Sequence, residues 1–375
     1  VNLFFNASNL RFGGGITFTQ QLLQALLPLR KNDQITIVVP NGAGYESLAQ
    51  TPNVQLIFVP DRFHYSRISK YYYNRSVFEK WAKQANADKI ISLGNIAFPS
   101  PGITQLLLIQ NAFLFYPESP AWSRMNIRQF TYNRMMNAYT AKHLKFASAY
   151  AVQTAVMKER LCRLFDIDPE KVSIVPNAIA HSSSGNDNIG TAKNDGIRLL
   201  VLSKYYAHKN FEILLPLAKE IKQQKQNITI TLTLDANESK DTAAFLETIQ
   251  KEQLADVVKN RGHVPLAEIE QTFHYYDGLL FPTLLESFSG TYLEAMKSGK
   301  PIFTSRFDFA THLCKDAAFY FNPLDARSIL RTITDAFAQP EAIIAKVGKG
   351  HEILDEMPDW QRVAQSFSEI IDRFE

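Results

Sequence analysis

Short apolar runs separated by polar, glycine- or proline-bearing turns recur along the chain. In the first half, Val1–Phe5, Ile35–Val39, Val54–Val59, Lys89–Leu93, Gln105–Ile109, Ala149–Gln153 and Val172–Pro176 read as strands. In the second, Ile197–Leu202, Ile228–Leu234, Gly278–Phe281, Ile302–Thr304 and Ala317–Phe321 do the same. Most are apolar at consecutive positions, as strands covered on both faces are. Helical spacing fills the intervals: Ile16–Leu29, Thr242–Leu254, Leu266–Phe273, Asp325–Ala338, and a stretch from Pro340 to Glu375 broken near Pro358. Alternation of apolar strands with helices predicts an α/β protein built on doubly wound parallel sheets. Ligands of such sheets sit beyond the carboxyl ends of the strands.

A length of 375 residues predicts two domains of ordinary size. The small polar run from His181 to Gly196 is the clearest linker, so the expected division is 1–180, a linker over 181–196, and 197–358. The net charge of +3 hides an asymmetry: 19 Lys/Arg against 10 Asp/Glu up to Ala180, and 21 against 27 after it. A basic first half suits an anionic partner, such as a membrane surface or a lipid-linked phosphate, although a solvated surface carries the same signature. Between Arg62 and Gln84, six basic residues alternate with Phe63, Tyr65, Tyr71, Tyr72, Tyr73, Phe78 and Trp81. That pattern fits a helix lying on anionic lipid, or a helix packed on its own sheet. No nucleic-acid motif accompanies it, so nucleic acid is not an expected partner. Cys162 and Cys314 lack metal-ligand spacing, which points to a reducing compartment. Without a signal-peptide pattern or an apolar run of spanning length, the expected location is cytoplasmic, peripheral at most at the inner face of a membrane.

Three stretches carry candidate chemistry. Pro282–Ser305 runs from a strand end through Glu286 and the small residues Ser287, Ser289, Gly290 and Thr291 into a helix holding Glu294. Small residues entering a helix leave backbone N–H groups for an anion. Two carboxylates eight positions apart suit sugar hydroxyls, so the ligand expected has both phosphate and sugar. Gly13, Gly14 and Gly15 lie between a strand and a helix, where a backbone can approach a phosphate. Lys204 and Lys209 follow a strand and precede a helix, well placed for a diphosphate. Asp166-Ile167-Asp168 lies in a turn before Pro169, and a metal role is not expected of it.

The run from Glu286 through Glu294, with Leu293-Glu294-Ala295-Met296 followed by Gly299 and Pro301, resembles the donor-binding motif of retaining glycosyltransferases of family 4, in the GT-B fold. The resemblance extends along most of the chain. It implies two Rossmann-like domains facing across a cleft, with a last helix, 359–375, crossing back to the first domain. It further implies a glycosyl transfer from a nucleotide-diphosphate sugar to an acceptor hydroxyl, with retention and without metal or organic cofactor. By the same resemblance Glu294 holds ribose hydroxyls and Glu286 the donor sugar. Lys204 and Lys209, with the N–H groups of Gly290 and Thr291, neutralise the diphosphate. Ser289 lines this loop, Gly262, His263 and Val264 read the base, and Gly13–Gly15 face the diphosphate and a saccharide or lipid-linked saccharide acceptor.

The chain departs from the family pattern in places. Asn111, expected with Glu286 and Lys209 among the catalytic residues, stands where many members have a histidine near the reacting centre, and an amide does not titrate near neutral pH. His143, in a basic helical stretch, is expected on the surface. Ser287 and Ser289 replace glycines, Ala178 stands in a Pro176-Asn177-Ala178 junction where glycine is usual, and Lys204 replaces an arginine. These departures keep open a non-catalytic GT-B partner protein, or an epimerase or sugar-phosphate synthase of the same fold.

Overall fold

In a computed structural model, residues 1–11, 13–61, 63, 67–178 and 196–374 are described, the side chains of residues 67 and 68 excepted. The expected linker, but for Gly196, lies outside these residues, as do Arg62 and Tyr65. The chain forms two compact units. The first comprises Val1–Pro117, Thr131–Ala180 and Pro358–Glu375; the second comprises Glu118–Phe130 and His181–Met357.

Among the described residues, the first unit holds strands β1 (Asn2–Asn6), β2 (Gln34–Pro40), β3 (Val54–Val59), β4 (Lys89–Ser92), β5 (Thr104–Ile109), β6 (Ala149–Val152) and β7 (Val172–Ile174). They form one sheet in the order β3-β2-β1-β4-β5-β6-β7. Every pairing is parallel, from Asn2↔Gln34 to Leu3↔Lys89 and Tyr150↔Val172. Consecutive residues such as Phe4, Phe5, Leu106, Leu107 and Leu108 are all buried, because helices cover both faces.

The final helix, Trp360–Arg373, belongs to this first unit. Its N-cap Asp359 accepts from the N–H of Arg362 at 2.7 Å. Val363, Phe367 and Ile371 join the core beneath the helix Gly14–Leu26, with Trp360 edge-on to Phe18 at 5.4 Å. Each such buried apolar side chain contributes about 1.5–3 kcal/mol. Lys89 Nζ closes the other end, donating to the carbonyls of Ile371, Asp372 and Phe374 at 2.8, 3.1 and 2.7 Å. A cation at a helix C-terminus answers both the orphan carbonyls and the dipole.

The second unit holds β8 (Ile197–Val201), β9 (Ile228–Leu232), β10 (Val258–Asn260), β11 (Gly278–Phe281), β12 (Ile302–Ser305) and β13 (Ala318–Phe321). The order is β10-β9-β8-β11-β12-β13, again all parallel among these residues. β10 escapes sequence reading because it is three residues long and two of them, Lys259 and Asn260, are exposed on an edge. Gly299 adopts φ 62 and ends the helix Gly290–Lys297, as its place in the sequence predicts.

Part of the basic aromatic segment turns inward. Tyr73, Phe78 and Ala82 are buried with Phe4, Val38, Val59, Ile90 and Phe98. A wide helical turn, Tyr73–Val77, sits inside it. Tyr71 and Tyr72 stay exposed. Among the described residues, no helix is long and apolar enough to cross a membrane.

Candidate functional site

In each sheet the strand order reverses direction at one place, and crevices open there. In the second unit the reversal lies between β8 and β11, paired Gly278↔Leu199 and Leu279↔Leu200. Their carboxyl ends carry the lysine loop and the Glu286 loop, far apart in sequence and adjacent in the fold.

The two loops are fastened together. Leu284 N–H donates to His208 O at 2.7 Å. Asn210, fully buried with φ 58, donates through Nδ2 to Pro282 O at 3.1 Å and Pro323 O at 2.8 Å. Asparagine tolerates the left-handed conformation and still supplies two donors there. Lys209 Nζ reaches Glu286 Oε1 at 2.7 Å and lies 4.6 Å from the centre of the Phe281 ring. The two side chains are 13% and 10% exposed, so the pair is largely withdrawn from water. Thr283 Oγ1 donates to the same oxygen at 2.7 Å.

The rest of the lysine loop is arranged differently from the expectation. Lys204 Nζ pairs with Glu238 Oε1 at 2.5 Å, a largely exposed contact that raises the pKa of the ammonium. Burial, with the charge of Lys209 beside it, pushes His208 down to about 3. It is therefore a neutral imidazole at physiological pH, stacked under Tyr206 with centroids 5.6 Å apart. The turn Pro120–Arg124, grouped with this unit, packs against Ala207–Lys209, and Ser119 Oγ donates to Leu284 O at 3.0 Å.

Ser289 is the N-cap of the helix Gly290–Lys297, but its hydroxyl makes no capping bond. Around Gly290, a Cβ would meet nothing within 4 Å. Gly290 thus opens this helix with no side chain and with free space where one would stand, a feature compatible with an anion at the helix start. Glu294, half-buried on the same helix, is pushed up by burial from the ordinary 4.5 to about 7. Gly262 (φ 87), exposed His263 and buried Val264 follow β10, two strands from β8 along the same edge.

In the first unit the reversal lies between β1 and β4. Gly13 caps the helix Gly14–Leu26 with φ 78 and ψ −169, a conformation open in practice to glycine alone. A Cβ at Gly15 would stand 2.9 Å from Gln110 Oε1, so Gln110 and the glycine loop touch. The Nε2 of Gln110 is buried and has no partner among the described residues. Asn111 is the N-cap of the short helix Ala112–Phe115: Oδ1 accepts from Phe113 N–H at 3.1 Å and Nδ2 donates to Asn137 Oδ1 at 3.2 Å. Asn95 Oδ1 accepts from the N–H groups of Gln110 and Asn111 at 2.5 and 2.9 Å. The amide of Asn111 holds a loop in place, and both of its ends are occupied.

Other expectations resolve locally. His143 is buried rather than on the surface; its Nδ1 lies 2.8 Å from Tyr139 O and its ring packs between Tyr139 and Phe146. Asp166 adopts the left-handed C-cap of one helix, and Asp168 Oδ1 caps the following turn at Glu170 N–H. Among the described residues, no three His, Cys, Asp or Glu side chains gather as a metal site. Thr283, Asn210 and Gln110 were not among the candidates. Their signals are weak in sequence, since each acts through a partner loop that only the fold supplies.

Two family models match in tandem. "Glycosyltransferase Family 4" covers residues 12–183 and "Glycosyl transferases group 1" covers 186–346. The chain belongs to the GT-B glycosyltransferases of the family 4 type. It is similar to the gpi3 subunit of phosphatidylinositol N-acetylglucosaminyltransferase of Schizosaccharomyces pombe, 20% identical over 55% of this chain and 44% of the other. It is also similar to the O-antigen chain mannosyltransferase RfbU of Salmonella typhimurium, 21% identical over 61% of this chain and 59% of the other. The matches thus span about half the length of these curated relatives. Among solved structures, HepE of Anabaena in complex with UDP and glucose superposes with a TM-score of 0.69, at 16% identity over 99% of each chain. At that identity the likeness shows the fold, two parallel-sheet α/β units of GT-B type.

Proposed function

We propose that this protein transfers a glycosyl group from a nucleotide-diphosphate sugar to an acceptor hydroxyl, in the synthesis of a glycan or glycoconjugate. The observation that carries the reading is the Lys209–Glu286 pair at the β8/β11 reversal, between loops locked by Asn210. A cation and a carboxylate held 2.7 Å apart at a ligand crevice supply opposite charges to a substrate that separates charge as it reacts. Lys209 meets the departing diphosphate, Glu286 the electron-poor sugar. Lys204 is held only by an exposed pair, and such pairs are worth about 1 kcal/mol or less, so a diphosphate can draw it away from Glu238. The N–H groups of Gly290 and Thr291 add neutral donors, and Glu294 accepts from the ribose hydroxyls.

This charge set needs no metal ion to balance the diphosphate. In the proposed step the bond from the anomeric carbon to the diphosphate oxygen breaks and the bond to the acceptor oxygen forms. The acceptor proton passes to the departing diphosphate. Asn111, an amide that does not titrate, cannot take up that proton, but its second N–H and second lone pair can still position the acceptor. Retention of configuration is proposed from family membership. The relatives named for N-acetylglucosaminyl and mannosyl transfer support a hexose-type donor and a lipid-linked or envelope acceptor. The UDP and glucose bound in HepE support a nucleotide-sugar as donor. Contact of segment 62–84 with an anionic membrane is proposed on the exposed Tyr71, Tyr72, Arg75 and Lys80; flotation that is indifferent to anionic lipid removes it.

The test is a melting screen against UDP, GDP, ADP and their sugars, followed by turnover with a glycan and lipid acceptor pool. A bound nucleotide raises the melting temperature by mass action. Binding with no turnover on any donor defeats the enzymatic reading in favour of a non-catalytic partner. Activity on free sugar phosphates, or with no acceptor, moves the assignment to a synthase or epimerase.

A further inference from the structure

We propose that Thr283 is a positioning residue that keeps Glu286 oriented when the substrate diphosphate claims Lys209. Glu286 takes both of its described donors on one oxygen: Lys209 Nζ and Thr283 Oγ1 each stand 2.7 Å from Oε1. No described side chain donates to Oε2, which is left for the sugar.

The two donors are not equivalent. Lys209 is a mobile point charge on a flexible stem, and the anion it is proposed to serve competes with Glu286 for it. Thr283 is neutral, fully buried and fixed just past the end of β11, and no diphosphate reaches for it. Its single proton has three acceptors within reach: Glu286 Oε1 at 2.7 Å, His208 O at 3.1 Å and Leu285 O at 3.2 Å. The carboxylate is both the shortest and the charged one, so it takes the proton. The residue also sits where the two loops meet, since His208 O accepts from Leu284 N–H as well. A carboxylate held by Lys209 alone would be released whenever the ammonium turned to phosphate. With Thr283 in place it stays put through the step that needs it.

The kinetic arm of the test rests on the glycosyltransferase reading; the thermal arm does not. Thr283→Val keeps the shape and removes the hydroxyl, and Thr283→Ser restores the hydroxyl without the methyl. With UDP-glucose, UDP-N-acetylglucosamine and GDP-mannose as probes, Thr283→Val should lower kcat about 10- to 100-fold while the donor KM moves less than about 3-fold. Thr283→Ser should return kcat to within about 3-fold of the parent, which a packing role for the methyl would not allow. An unchanged kcat in Thr283→Val, or equal loss in both variants, overturns the proposal. Independently of any donor, the melting temperatures of Thr283→Val, Glu286→Met and the double variant should be non-additive, because each change removes one end of the bond the two groups share. Additive shifts overturn it too. If the parent turns over no donor of the full panel with the acceptor pool while the thermal cycle is coupled, the functional reading fails and the contact stands.

Discussion

Glu294 offers the sharpest test of the site's electrostatics. Burial raises its pKa from the ordinary 4.5 to about 7. Below pH 4.5 the carboxyl is neutral in both the folded and the unfolded chain. Between 4.5 and about 7 the unfolded chain gives up its proton and the folded chain keeps it, so stability falls as pH rises; above about 7 the loss levels off. At 1.36 kcal/mol for each pKa unit, the whole shift amounts to about 3 kcal/mol at its upper end. Glu294→Gln keeps the shape and removes the titration. Urea unfolding at pH 4 should give nearly equal stabilities for the two proteins, and at pH 8 the variant should be more stable by up to about 3 kcal/mol. A difference that does not change between pH 4 and pH 8 refutes the reasoning, because only a titrating group makes it pH-dependent. The same carboxyl links to ligand binding. Ribose hydroxyls donate to the ionised form, so the ratio of parent to variant affinity for a nucleoside diphosphate should rise with pH up to about 7, while the phosphate's own ionisation affects both proteins alike.

Three further outcomes can be measured directly. Lys209→Met and Glu286→Gln should each cost about 3 kcal/mol in urea unfolding, and the double variant less than their sum, because each single change strands a largely buried charge or dipole; a strictly additive double variant would mean the pair is solvated. Lys89→Met should cost about 1–3 kcal/mol by releasing three carbonyls at the end of the final helix, seen as faster amide exchange confined to residues 360–374. Gly13→Ala should destabilise by about 1–3 kcal/mol through its backbone conformation, whereas Gly14→Ala, with nothing within 4 Å of the new methyl, should be nearly neutral in thermal unfolding.

Much of the fold was legible because both sheets are parallel. Buried parallel strands appear as uninterrupted apolar runs, so Gly278–Phe281 could be bounded to the residue. Val54–Val59, an edge strand interrupted by Gln55, could still be bounded by its apolar majority. β10 could not, because an edge strand with exposed Lys259 and Asn260 has no apolar run to show. The aromatic stripe of 62–84 was ambiguous in sequence because a helix on a membrane and a helix on a sheet need the same periodicity. Only the fold shows that Tyr73 and Phe78 pack in the core with Phe4 and Phe98, while Tyr71 and Tyr72 of the same stripe face outward. His143 misled for a similar reason. Its lysine neighbours, Lys142 and Lys145, describe the helix surface, but the ring itself turns between Tyr139 and Phe146.

At the candidate site the sequence determined the chemistry and the fold determined the pairing. Glu286, Glu294, Lys204, Lys209 and the glycine loop are residue types whose charges and conformational freedom can be read directly. Which of them meet is a matter of strand order. Because β8 lies beside β11, Lys209 reaches Glu286 at 2.7 Å across 77 residues of chain, while Lys204, on the same loop, turns to Glu238. Asn111 shows the reverse limit. Its place in the motif suggests the reacting centre, and only the fold adds that the same amide caps the helix Ala112–Phe115. Local sequence fixes periodicity, turn residues and available charge, since these depend on neighbours along the chain. The partner of a buried donor or acceptor is set by elements distant in sequence, and burial makes each such choice expensive to leave unmade.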